Sequence, residues 1–296
     1  MTDDFSRRTL FSAAAGAALV IGSSTSPAAL AQTAPAAATG SGASLDEIIK
    51  RGTIRVGVAP NEPWAFKDPA TSQWSGLSIA LGQAIAEALK VKLEIEEFAF
   101  AGLVAALQAG RVDFAPMLDA TPARALAVDF TLTPMVFQAQ SVLVEDATKV
   151  KTWKDLDRAD FTMAVPQGTV MESNTKKFAP KAQVLAFPSN AEAVAAFQAK
   201  RATGVSLFGA ALAVQQARVK RGKIVILSPR SVAASNVAVR RTADKSFRDW
   251  MDLSVAYFSH SNRMQGWYED FLRTRGIDPA TVPAIMREMW SDDVTT

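Results

Sequence analysis

Apolar and polar positions alternate in short blocks along the chain, and the period of each block predicts an element. An amphipathic stretch over residues 45–50, stopped by Gly52, predicts a helix, and Thr53-Ile54-Arg55-Val56-Gly57-Val58 alternates as a strand. Gly76 opens a helix running to Lys90, with Ile79, Leu81, Ile85, Ala86 and Leu89 as its apolar stripe. A strand over 91–98, a helix ending at Gly110, a short strand over 113–115, a Pro122-started helical turn and a strand over 135–144 follow. Beyond these, strands at 161–165, 184–187, 204–207 and 223–227 alternate with helices at 190–200 and 209–221, and a strand over 235–240 returns. Helices at 244–259, 263–275 and 279–290 close the chain, with Phe247, Trp250, Met251, Val255 and Phe258 at the spacing of a buried face. Strand–helix alternation of this kind predicts an α/β fold with mostly parallel sheets.

Composition narrows the chemistry. With 296 residues and 49% hydrophobic positions the chain is long enough for one large or two medium cores. The formal charge of +3 comes from scattered residues, with no basic run interleaved with aromatics, so no nucleic-acid partner is predicted. No cysteine and a single histidine, His260, exclude thiol chemistry and His-built metal clusters. At the start, Ser6-Arg7-Arg8-Thr9-Leu10-Phe11, an alanine-rich apolar run and Ala29-Leu30-Ala31 resemble a twin-arginine export signal over 1–31. Residues 32–44 read as a disordered leader, and export as a soluble protein to the periplasm is the expectation.

Two stretches carry candidate chemistry. In residues 107–134, Arg124 follows a helix-starting Thr121-Pro122 at the end of a predicted strand, where open α/β sheets place their ligands. The second is Gly168-Thr169, a strand-to-helix corner whose amides and hydroxyl suit an anion.

The order of these segments resembles the periplasmic solute-binding proteins of polar amino acid importers. Gly110-Arg111-Val112-Asp113 followed by Thr121-Pro122-Ala123-Arg124 and Asp129-Phe130 is similar to the family signature, and the resemblance runs from about residue 45 to 290. It implies a type II periplasmic-binding fold of two lobes, 45–138 with 239–296 and 139–238, joined by two strand crossings. It implies a small carboxylate-bearing ligand, an ABC permease and ATPase as partners, a monomer and no cofactor. By the same resemblance Arg124 grips the ligand's carboxylate and Gly168 and Thr169 meet it from the other lobe. Asn61 and Trp64 lie in a cleft-lining loop, with Trp64 an aromatic wall or plain core. Phe100 stacks on the ligand or plugs a strand–helix corner.

The chain departs from the family at Ser78 and Ala80, where two aspartates are usual, and at two positions that bear on the ligand. Phe208 stands where an aspartate neutralises a ligand ammonium, and Asp119 stands where a serine or threonine is usual. Asp119 either receives an ammonium or pairs with Arg124. An ammonium enclosed without counter-charge is costly, so the ligand departs from an ordinary α-amino acid or uses Asp119. Two other readings stay open: a periplasmic dehydratase-like enzyme, with Asp119 and Glu172 the cleft-side carboxylates, and an accessory binding protein of a periplasmic redox enzyme.

Overall fold

Ser44 caps α1 (Leu45–Arg51): its hydroxyl accepts the Glu47 amide at 3.2 Å while the Glu47 carboxylate accepts the Ser44 amide at 3.1 Å. Gly52, at φ 71°, ends the helix in the left-handed region. The computed structural model describes residues 44–282 and 284–285, so the predicted export signal and nearly all of the leader lie outside the described residues. Of the helix predicted over 279–290, Pro279–Thr281 forms one 3-10 turn and most of the rest also lies outside them.

The predicted elements occur in the predicted order, with three short strands, at 66–67, 74–75 and 128–130, that the alternation does not show. β1 (Thr53–Val58), β2 (Phe66–Lys67), β3 (Trp74–Ser75), α2 (Leu77–Leu89) and β4 (Lys92–Glu97) lead to α3 (Leu103–Gln108), β5 (Phe114–Asp119), α4 (Pro122–Ala125) and β6 (Val128–Phe130). After β7 (Val136–Val144) come α5 (Trp153–Leu156), β8 (Thr162–Pro166), α6 (Val170–Phe178), β9 (Gln183–Phe187), α7 (Asn190–Gln198), β10 (Gly204–Phe208), α8 (Gly209–Val219) and β11 (Lys223–Ile226). The chain returns through β12 (Val232–Arg240) to α9 (Ser246–His260) and α10 (Arg263–Thr274).

One sheet runs in the order β4-β1-β5-β12-β7-β10-β8-β9, with β6 beside β12 and β11 beside β7. β4, β1 and β5 are mutually parallel, as are β10, β8 and β9. β7 and β12 join the two parallel groups as an antiparallel pair. β7 bonds to β12 over residues 136–139 and to β10 over residues 140–144. β12 bonds to β7 over residues 232–235, to β5 from Ser235 on and to β6 over residues 238–240. β10 and β11 run the same way with β7 between them, connected through α8.

Each sheet group is covered on both faces. Leu81, Ile85, Phe114, Met251, Tyr268 and Leu272 pack under α2, α9 and α10, while Leu103, Leu107, Val112 and Phe130 fill the opposite face. In the second group Val194, Phe197, Leu207 and Leu212 lie under α7 and α8, with Trp153, Leu156, Phe161 and Val165 on the other side. Burying such a side chain stabilises by about 1.5–3 kcal/mol, which is why the apolar stripes face inward.

β5 runs on to Asp119 where alternation predicted an end near Ala115. Pro116 has no amide to give, and Met117 sits at φ 59°; the ladder to β12 absorbs both as a register shift between Asn236 and Ala238. The bulge carries the strand to Asp119 and so delivers the next turn, with Arg124, to the strand ends. Among the described residues no helix is long and apolar enough to cross a membrane.

Candidate ligand cleft

Thr121 caps α4 by accepting the Arg124 amide at 3.2 Å, and Pro122 fixes the first helical position. That start aims the Arg124 side chain across the gap between the two sheet groups. Its Nη1 donates to the Asp119 carbonyl at 2.9 Å and its Nη2 to the Gly168 carbonyl at 2.9 Å. The nearest carboxylate, Asp119 Oδ2, is 4.0 Å away, and the Arg124 side chain is only 17% exposed. Burial pulls the guanidinium below its ordinary pKa, and the Asp119 charge opposes that only in part. Asp119 itself is buried, which pushes its carboxyl above the usual carboxylate range against the Ser235 hydroxyl and Arg124.

Gly168 and Thr169 lie opposite, at the end of β8. Gly168, at φ 73°, donates its amide to Glu172 Oε2 at 2.8 Å, and the Thr169 hydroxyl donates to the Pro166 carbonyl at 2.7 Å while accepting the Glu172 amide at 3.4 Å. In this arrangement the Gly168 amide serves the first turn of α6, the Thr169 hydroxyl donates back to the end of β8, and a carbonyl faces Arg124. The cause is Glu172, whose side chain reaches back to cap the helix. Burial draws the Glu172 carboxyl upward, but the Lys176 ammonium and the Gly168 amide outweigh it and hold the group below its ordinary value.

Asn61, Trp64 and Phe100 form a second group. Together with Ser78, Pro116 and Met117 they line a cavity of about 10 Å³, room for no more than a single water. Trp64 is 1% exposed and stacks on Tyr268 with ring centroids 5.7 Å apart, so it belongs to the core of its half as well as to the cavity wall. Its indole Nε1 is buried without a hydrogen-bond partner. Phe100 packs against the cluster around Leu103. The Arg124 group and the Trp64 group are neighbours along β5, which contributes Pro116 and Met117 to one and Asp119 to the other. Phe208 is buried at the end of β10, in register with Gln140, and is not among the cavity's lining residues.

The two sheet groups touch here. A Cβ built on Gly168 would lie 3.0 Å from the Ala101 Cβ, and Asn190 Nδ2 donates to Asn61 Oδ1 at 2.5 Å. Sequence reasoning passed over Asn190, Ser235 and Gln138. Ser235 donates to Asp119 Oδ1 at 2.6 Å and accepts from Gln138 Nε2 at 2.9 Å, which links the floor of the cleft to the strand crossing.

Comparison with known proteins places this geometry. Residues 54–274 match the family described as bacterial extracellular solute-binding proteins, family 3. A glutamine-binding protein of Geobacillus stearothermophilus is 30% identical over 161 residues, 52% of this chain and 60% of the relative. A probable histidine-binding protein of Campylobacter jejuni is 32% identical over 134 residues, 45% of this chain and 50% of the relative. The chain thus spans 50–60% of the length of these curated relatives. Among solved structures, an ancestral amino acid-binding protein described as a precursor of cyclohexadienyl dehydratase is 31% identical, with a TM-score of 0.68 over 78% of this chain and 98% of its own. A mutant of ArgBP from T. maritima is 25% identical, with a TM-score of 0.69 over 77% of this chain and 99% of its own. With a match over that span and a two-lobed type II periplasmic-binding fold, the chain belongs to the bacterial extracellular solute-binding proteins, family 3.

Proposed function

We propose that this protein is the periplasmic substrate-binding component of an ATP-driven importer, which captures a small polar ligand bearing a carboxylate, an amino acid or related compound, as two lobes close on it. The lobes are residues 45–138 with 239–296 and residues 139–238, hinged where β7 and β12 change partners. The observation that carries the reading is Arg124: a guanidinium largely out of water, held by two carbonyls and 4.0 Å from the nearest carboxylate. A buried cation with an incomplete counter-charge at the meeting point of two strand ends favours an anionic guest. In this role Arg124 takes the carboxylate, Gly168 and Thr169 close over it, and Trp64, Phe100 and Phe208 enclose the remainder, with Asn61 at the rim. Asp119 is the acceptor for an ammonium or other cationic group.

Magnitudes require enclosure. A charged hydrogen bond contributes about 1.5–3 kcal/mol, whereas micromolar capture needs about 8 kcal/mol. Desolvation between the lobes supplies the difference. With Arg124 bonded to the Gly168 carbonyl and Asn190 to Asn61 across the gap, the lobes part to admit a ligand. The permease and ATPase are the membrane partners, and the receptor works as an exported monomer. A thermal-shift screen of amino acids, polyamines and small organic acids, followed by calorimetry, tests this: at least one carboxylate raises the melting temperature and binds. A panel in which only carboxylate-free compounds bind overturns the anionic assignment.

One observation favours a second reading, a dehydratase-like enzyme. Asp119, buried at the cleft, is held toward its protonated form, as a general acid requires. Glu172 is held ionised and does not fit that role. Turnover of a cyclic carboxylic acid, lost in Asp119→Asn, would carry the enzyme reading; ligand binding without turnover carries the receptor.

A further inference from the structure

Two consecutive residues of the turn after β1 reach toward the other half of the molecule. Asn61 accepts from Asn190 in the first turn of α7. Glu62 Oε1 accepts from Arg218 Nη2, in the last turn of α8, at 2.6 Å, and lies 3.2 Å from Nη2 of Arg275, which caps α10. The Glu62 side chain is 5% exposed, against 44% for Arg218 and 28% for Arg275.

The turn that carries Glu62 is rigidly seated. Asn61 and Ala65 exchange backbone bonds of 2.7 and 2.8 Å, and the Ser78 amide donates to the Trp64 carbonyl at 2.8 Å. Gly76 has the Trp64 and Pro63 carbonyl oxygens 2.6 and 2.7 Å from where its Cβ would be, so the turn lies flat against the start of α2. Trp64 is clamped on Tyr268 of α10. Arg275 belongs to the same body: its guanidinium carbon sits 4.3 Å from the centroid of Phe66. Arg218 rides on α8, whose helix packs with β10, β11 and β7 and also sets Ala210 and Val214 against the core that holds Trp64 and Tyr268, so the ion pair lies at the rim of an apolar contact between the lobes.

A carboxylate this deeply covered needs a counter-charge whichever way the lobes stand. Glu62 has two, one from each side, converging on a single oxygen, while Oε2 is buried with no partner. We propose that Glu62 and Arg218 form a latch between the lobes, with Arg275 the resident partner that keeps Glu62 compensated when Arg218 swings away. The latch sets the ratio of closed to open molecules and, through it, ligand affinity, since apparent affinity scales with the competent fraction. Its effect on affinity rests on the receptor reading above; its effect on conformation does not. The competing account is an incidental surface pair, which contributes almost nothing.

The experiment needs no ligand, so it can fail independently of the receptor reading. The chain has no cysteine, and cysteines placed at exposed Lys92 and Lys181 carry a dye pair, one on each lobe. Single-molecule energy transfer on the ligand-free protein then compares Arg218→Gln, Arg218→Lys and Arg275→Gln with the parent in low and high sodium chloride. The expected result is a mainly compact parent, an Arg218→Gln variant whose closed-to-open ratio falls about tenfold, and partial recovery in Arg218→Lys. Arg275→Gln lowers the melting temperature yet leaves the closed fraction unchanged or higher, because the open form loses its remaining counter-charge. A parent already open, an Arg218→Gln distribution matching the parent, or equal opening by both glutamine variants overturns the latch. Arg218 is the most exposed of the three, so its variants are expected to fold, and circular dichroism melts confirm that before the comparison is made.

Discussion

Arg124 and Asp119 sit five residues apart and are pulled in opposite directions by one cause. Burial weakens the hold of the guanidinium on its proton and strengthens that of the carboxyl. Replacing Arg124 by methionine keeps much of the side chain's bulk and removes its donors. The expected outcome is a fall in affinity for carboxylate ligands of at least about tenfold, from about 1.5–3 kcal/mol of lost charged hydrogen bonding, with a melting temperature close to the parent's. Calorimetry checks it, and unchanged affinity would contradict the role.

For Asp119 the pH dependence follows from its sign. The folded state holds the proton more tightly than the unfolded chain, so this group's contribution to stability is greatest at acid pH. It is lost as pH rises through the folded pKa, above the ordinary carboxylate range. Asp119→Asn is therefore expected to gain in melting temperature relative to the parent at pH 8 and to gain less, or nothing, at pH 4. An equal offset at both pH values would show that burial does not shift the group. Arg124 stands out in the sequence as a candidate through the order of its flanking elements and the family signature, while its cap and its proline are local. The partners Asn61–Asn190 and Ser235–Asp119 do not: they lie 129 and 116 residues apart and meet only when two sheets come together.

At the scale of elements, two glycines carry geometry that alternation cannot express. Gly168→Ala puts a methyl 3.0 Å from the Ala101 Cβ and forces a non-glycine residue to φ 73°. The conformational part alone costs roughly 1–2 kcal/mol. Because the clash is across the cleft, ligand affinity is expected to fall more than thermal stability, and paired calorimetry and melting curves separate the two. Gly76→Ala acts within one half, against the carbonyls of Pro63 and Trp64 at φ 106°, and is expected to destabilise by roughly 1–3 kcal/mol or more in denaturant titration. Helices and strands were largely readable from period alone, as in β1, where the alternating run and the strand coincide. The far end of β5 was not, because Pro116 argues against a strand and only the partner β12 supplies the bulge that tolerates it.

On the scale of the whole molecule, strand–helix alternation pointed to parallel sheets, and the family signature to two lobes. What neither revealed was the state of the cleft: Arg124, Asn61 and Glu62 each hold a group from across the gap, so the described arrangement is a closed one whose donors satisfy each other. Any guest must compete with those internal bonds before it gains its own.

The change of partners within β7 has a further consequence. Residues 136–139 are laddered to β12 and residues 140–144 to β10 and β11, so bending in β7 is concentrated near the peptide between Ala139 and Gln140, with the other crossing bending where β12 passes from β7 to β5. The Gln140 amide there donates to the Ser231 carbonyl at 2.8 Å, a bond between the two crossing segments that bending of either crossing strains. Deuterium uptake at that one amide is thus expected to act as a built-in occupancy gauge, slowing when the guest is aboard while uptake in mid-strand β1 stays flat.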